Sequence, residues 1–263
     1  MMNGHIQTTG TSFETIAGGI GIAAVLLYFV MAALTGKKFR KWPVHRYFLW
    51  SIGVLCAAAA VTGPLAALAH TNFKVHMMGH LLLGMLAPLL MVFGKPMTLL
   101  LRSLSTRYAR LLTRLFKSRP IRLLSNPLTA ATLNIGGLYL LYMTDLYMMT
   151  HQSLFLYALV HVHVFLAGYL FTISIIYIDI SPHRFSYIYR SVVMILALAG
   201  HKILSKYIYA NPPSGVSKPE AEAGGMLMYY GGDLIDLALI TIFCYQWYKD
   251  ATPRAFPSME NTD

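Results

Sequence analysis

"HMMGHLLLGMLAPLLMVF", residues 76–93, runs without a single Asp, Glu, Lys or Arg. As an α-helix it rises about 1.5 Å per residue, enough to cross most of a hydrocarbon layer of about 30 Å. The run therefore reads as a membrane span, and its only polar side chains are His76 and His80, one helical turn apart with Met77 and Met78 between them. Six other stretches qualify on the same grounds, so the expected spans are 14–35, 47–69, 76–93, 127–146, 153–177, 187–208 and 225–248. The chain of 263 residues is 56% hydrophobic and 12% charged, too apolar for an ordinary soluble domain and with no length left for one. The expected fold is all-α, a single polytopic membrane domain of seven transmembrane helices over 1–263.

The formal charge of +11 invites a nucleic-acid reading, but its placement argues against one. Lys37 to Arg46, Lys95 to Arg122, Arg184 with Arg190, and Lys249 with Arg254 fall on one side of the expected topology and hold 17 of the 21 Lys and Arg. By the positive-inside rule this puts the N-terminus outside and the C-terminus in the cytoplasm, with no nucleic acid as partner. The segment before Glu14 lacks the positive region of a cleavable signal peptide, in agreement. The segment 102–122 sets Leu104, Tyr108, Leu111, Leu112 and Leu115 at helical spacing against arginines, and reads as an amphipathic helix lying on anionic lipid at the cytoplasmic face. "YANPPSGVSKPEAEAGG", residues 209–225, reads as an irregular external loop. The two cysteines, Cys56 and Cys244, both fall within expected spans, which excludes a disulfide framework and a Cys-x-x-Cys thiolate cluster.

Topology then supplies depth. His76 lies at the outer rim and His80 one turn deeper, while His161 and His201 sit roughly 10–12 Å below the outer surface. Asp233 and Asp236 enter at a similar level, and Asp145 lies near the interface. Ionisable side chains within a membrane are costly and usually face the bundle interior. Four helices bringing imidazole or carboxylate to one level point to a site built from His76, His80, His161, His201 and Asp233, with His163, Asp145, Asp236, Met77 and Met78 as further candidates. His161 and His163 project about 200° apart on a helix of 3.6 residues per turn, so one of them faces the site; His161, sharing a face with Ala158 and Gly168, is favoured. A histidine pair at i and i+4 can share a metal ion, and imidazole with thioether in the absence of thiolate suits copper. Each feature has a plainer reading: a membrane histidine can simply bond two helices, Asp233 and Asp236 can serve a polar helix contact, and methionines fill apolar cores. Helical geometry turns Met77 and Met78 off the histidine face, which favours packing for them. His70 and His151 read as loop residues.

Further resemblance comes from motifs. "HMMGHLLLGMLAPLLMVFGKPMTLLLR" resembles the signature of the caa3-type cytochrome c oxidase assembly factors, heptahelical bacterial membrane proteins, at His76, His80, Ala87, Pro88, Gly94 and Pro96, with Gly79 where Gln is common. "HVHVFLAGYLF", "AGHKILSKYIY" and "AGGMLMYYGGDLIDLALITIFCYQWY" resemble the family's fifth, sixth and seventh spans, with His161, His201 and Asp233 at the matching positions. The resemblance implies a protein of the bacterial cell membrane that assists assembly of a haem-copper oxidase. Its implied partners are cytochrome c oxidase subunits and an extracellular copper carrier.

Three functional readings follow. A non-enzymatic copper chaperone needs a shallow site with exchangeable ligands, whose affinity falls as pH drops through the imidazole range near 6.5. A haem-binding b-type cytochrome or haem-handling protein needs two histidines from different helices and a haem-sized gap, as His80 with His161 or His201 would supply. A scaffold or receptor needs the polar residues only to bind helices together. No hydrolytic motif, P-loop or dinucleotide fingerprint is present, so the protein is not expected to be an enzyme.

Overall fold

The computed structural model describes residues 2–36 and 39–252, with backbone alone for 2–12; Lys37, Lys38 and Arg254 of the charge argument lie outside the described residues. Twelve helices account for nearly all of it, and no strand occurs among the described residues. Six are long and apolar enough to cross a membrane: α1 (Met2–Gly36), α2 (Val44–Val61), α4 (Phe73–Phe93), α10 (Leu154–Ile175), α11 (Tyr187–Ala210) and α12 (Lys218–Ala251). Short helices α3 (Gly63–Ala69), α5 (Pro96–Ser103), α6 (Thr106–Phe116), α7 (Arg119–Leu124) and α9 (Leu146–Gln152) join them. The expected fourth span becomes α8, a helical run over 127–143 that stops at Thr144, whose backbone is extended. It falls just short of the other six in length. The protein is a multi-pass membrane protein.

Several boundaries move, each for a local reason. The expected span 47–69 is two helices, because Thr62 is extended and Gly63 adopts φ 74°, a conformation open to glycine. The expected amphipathic segment 102–122 is three helices, broken by extended Leu104 and Ser105 and again at Ser118. The expected loop 209–225 is irregular only over 211–217, since Tyr209 and Ala210 still belong to α11. From Lys218 the chain is helical, with Pro219 in the first turn, where a missing N–H costs nothing. Arg190 lies in the first turn of α11.

Caps set the starts of the central helices. The side chains of Asn72, Asn126, Ser153 and Ser186 accept from the backbone N–H of Val75, Leu128, Leu156 and Tyr189, satisfying donors that the helices leave free. Asp179 does the same for α5, accepting from the N–H of Met97 at 2.7 Å and of Thr98 at 3.0 Å.

Helix α4 runs through the middle of the bundle and is its most enclosed span. Pro88 has no N–H for an α-helical bond, and ahead of it α4 widens into a π-turn over Leu82–Leu86, with the Ala87 N–H bonding back to Leu82. Gly168 of α10 packs directly onto this turn: a methyl group at Gly168 would lie 1.9 Å from the Gly84 carbonyl oxygen. A second π-turn, Thr132–Gly136, lies in α8. Apolar packing forms one cluster around Phe73, Met77, Tyr142, Leu204 and Met228 and another around Phe171, Ile175, Val193 and Phe243. His80, His201 and Asp236 share a cavity with members of both, Leu138 from the first and Phe171 and Leu239 from the second.

Candidate functional site

His80 points from α4 toward α11, where its ring lies 5.9 Å from that of His201, inclined by 28°. Both residues are buried, and Asp236 of α12 is buried beside them. A small cavity of about 40 Å³ is walled by all three with Asn134 and Thr172, room for a few waters or one ion. The two π-turns shape it, contributing Gly84 and Met85 from α4 and Asn134 and Ile135 from α8. Gly232 makes space for the His201 ring, since a methyl group there would come within 2.8 Å of it.

The Thr172 hydroxyl donates to the Gly168 carbonyl at 2.8 Å, but four other polar atoms around this space have no hydrogen-bond partner. Neither ring nitrogen of His80 is bonded, nor is Nε2 of His201 or Oδ2 of Asp236. Buried polar groups are nearly always paired, because an unpaired one forfeits its hydration without return. Several such atoms around one small cavity mark it as a place prepared for something polar.

A second cavity, about 20 Å³, adjoins His80 on its other side and is lined by His76, Tyr142 and His161. Nε2 of His76 lies 3.0 Å from the Tyr142 hydroxyl. Nδ1 of His161 lies 2.8 Å from the carbonyl oxygen of Tyr157, so it carries the proton and donates. That tautomer leaves Nε2 with a free lone pair, the form in which imidazole binds a metal.

From here two arms of rings reach the end of the bundle opposite the arginines. In one, His161 stands 4.0 Å from the Tyr157 ring, which stacks on His70 at 5.1 Å. In the other, His76 meets Tyr147 at 4.9 Å, and Tyr147 meets His151 at 4.8 Å. The arms close at the rim, where the rings of His70 and His151 are 5.8 Å apart. Partial burial and then the neighbouring His151 hold the His70 imidazole below its usual range, against a smaller opposing pull from Glu14. Burial, reinforced by Glu220, pushes the Tyr147 hydroxyl up to about 12, so it remains a neutral donor at physiological pH. The loop reading of His70 and His151 thus missed a pair: they are distant in sequence, and only the folding of α3 and α9 onto the same rim brings them together.

The other sequence-derived candidates lie elsewhere. His163 turns away from the cavities to α8, where Nε2 donates to the Leu133 carbonyl at 3.1 Å and the ring packs on Gly137. Leu133 belongs to the π-turn, whose widened backbone offers that carbonyl to a side chain. Asp233 forms an ion pair with Lys202, so the carboxylate facing His80 and His201 is that of Asp236, one turn further along α12. Asp145 accepts from the Ser214 hydroxyl at 2.6 Å and ties two loops together. Met77 is fully buried against Gly224 of α12, and Met78 is exposed. Among the described residues, no three His, Cys, Asp or Glu side chains converge on one point suited to a metal ion. The arrangement is a column of histidine pairs, His70 with His151, His76 with His161 and His80 with His201, the last with Asp236 in the wall of the same cavity. Gly232 lies four residues before Asp236 and so on the same helix face, but what separates the two acids is the ion pair that takes up Asp233.

Fold and site together define a multi-pass helical membrane protein with a buried histidine column leading inward from one end. The chain matches the family described as Cytochrome c oxidase caa3 assembly factor (Caa3_CtaG) over residues 26–250, and it belongs to that family. It is 33% identical over 184 residues to the uncharacterized protein Mb0105 of Mycobacterium bovis, an alignment covering 66% of this chain and 28% of that protein. To the uncharacterized protein ML1998 of Mycobacterium leprae it is 29% identical over 258 residues, 90% of this chain and 39% of the relative. The chain therefore spans about a third of the length of these curated relatives. No solved structure matches.

Proposed function

We propose that this protein assists assembly of a haem-copper cytochrome c oxidase by passing copper along the histidine column. His70 and His151 receive the ion at the outer rim, His76 and His161 take it inward, and His80 with His201 and Asp236 forms the inner station. The ion is cargo, exchanged between ligand pairs without any covalent change in the protein, so the role is non-enzymatic. Pairs suit this role better than a closed cage, because an ion held by few ligands can leave. The observation that carries the reading is the bare His80 ring, both of whose nitrogens are buried without a partner, facing the unpaired Nε2 of His201.

The reading sets the protein in the bacterial cell membrane with seven spans, α8 being the fourth, the N-terminus outside and the basic loops in the cytoplasm. In that orientation Tyr108, Leu111 and Leu115, exposed on one side of α6, rest on anionic lipid. Oxidase subunits are the recipient, and an extracellular carrier the donor.

Copper analysis of purified protein tests the proposal. Copper should be retained by the wild type, lost from His80→Ala and kept by His163→Ala. Equal copper in a variant lacking His76, His80 and His161 together would end it. The haem alternative draws no support from an inner cavity of about 40 Å³, since cofactor-sized pockets take about 300 Å³ or more. A Soret band on the purified protein would revive it.

A further inference from the structure

At the basic end of the bundle, Arg190 is buried in the first turn of α11, at 1% exposure. Its guanidinium lies over the rings of Tyr177 at 4.1 Å and Tyr187 at 4.2 Å and donates to the Ile175 carbonyl at 2.6 Å, but Nε has no partner. Aromatic faces and one carbonyl moderate the charge without neutralising it, and a helix N-terminus is itself positive. No carboxylate forms an ion pair with Arg190 among the described residues.

Its surroundings add positive charge. The Arg184 guanidinium lies 5.7 Å from the same Tyr177 ring. Arg184, Arg190 and Lys249 all line one cavity of about 300 Å³ between the α10–α11 turn and the end of α12. Among the described residues, the only acid in its wall is Asp250, which already accepts from the Tyr187 hydroxyl at 2.5 Å. Three cations against one engaged carboxylate repel one another unless an anion enters. Arginine pairs with phosphate through parallel N–H donors, and lysine adds a point charge. Arg190 lies only about 5 Å along α11 from its start, at the level of lipid headgroups.

We infer that the cavity walled by Arg184, Arg190 and Lys249 binds a phosphate group, carried by an anionic phospholipid or free in solution. This site lies at the opposite end of the bundle from the rim histidines and does not depend on the copper reading.

The test uses the 263-residue chain, wild type and Arg184→Gln/Lys249→Gln, which leaves buried Arg190 in place; Lys74→Gln/Lys218→Gln, two exposed cations at the starts of α4 and α12, is the control. Retained lipid is counted by native mass spectrometry after purification from vesicles of phosphatidylglycerol and phosphatidylcholine, and thermal unfolding is followed with and without inorganic phosphate. The expected result is selective retention of phosphatidylglycerol, with a raised melting temperature, reduced about tenfold in the cavity variant and unchanged in the control. Stabilisation of the wild type alone by inorganic phosphate, without lipid preference, supports the site with free phosphate as its ligand. Equal behaviour of wild type and cavity variant towards both probes, or no effect of either probe on the wild type, overturns the inference.

Discussion

His163 and His80 both stand in long apolar helices, and the bundle receives them in opposite ways. Around His163 everything is complementary: the π-turn of α8 offers the Leu133 carbonyl and Gly137 clears space for the ring. Around His80 the same device, a π-turn, opens a cavity and leaves both ring nitrogens without partners. A membrane histidine that holds helices together has its partner built in. One that serves a passing ligand has its partners withheld, at a cost in stability that packing elsewhere must offset.

The sharpest way to break this contrast is to replace His80 by Leu. We expect oxidase activity in cells to fall tenfold or more while the protein persists in the membrane. Stability should hold within about 1 kcal/mol, because the lost group made no hydrogen bond. A fall in protein level matching the fall in activity would make His80 structural after all. Next in size is Gly168→Ala, which forces α10 away from the Gly84 carbonyl and distorts the turn beneath His80. Overpacking of this kind costs about 1–3 kcal/mol, and thermal unfolding in detergent should show a clearly lowered midpoint. His163→Leu should show the mirror image of the His80 variant. It loses about 1–2 kcal/mol by stranding the Leu133 carbonyl, with oxidase activity falling only as far as protein level does. Intact stability in that variant would erase the distinction between the two histidines.

The smallest effect concerns the rim. His70 binds its proton less tightly in the folded protein than when unfolded, so the unfolded chain carries more protons just below the ordinary imidazole value of about 6.5. Its contribution is therefore full above that value and declines as pH falls through it. His70→Phe, which keeps the ring against Tyr157, should flatten this part of a stability–pH profile. An unchanged profile would remove His70 from the coupled rim.

Much of the architecture is legible from residue patterns alone. Apolar runs mark six long helices, and uncharged 76–93 proves to be most of the central one. The failures share a cause: hydropathy records how apolar a stretch is and not where its backbone bends. Val61 and Ala69 belong to one apolar run, yet extended Thr62 and Gly63 divide it. The π-turns were equally hidden, although Pro88 marks where one of them forms. For the candidate site, helical spacing separates His161 from His163 and turns Met77 off the histidine face, because both follow from 3.6 residues per turn. Asp233 and Asp236 could not be ranked in this way. Their helix carries both toward its neighbours, and the choice depends on Lys202 of α11 taking Asp233 as its partner.

The sequence by itself determined a helical membrane protein, its family and the histidines that enter the bundle, because length, hydropathy and helical period act within a segment. Only the tertiary structure decided which of these groups are left without partners, since a hydrogen bond between helices depends on how each is rotated and how closely it approaches. Gly168 against Gly84 and Gly232 against His201 fix those approaches, and with them the small polar space between His80, His201 and Asp236.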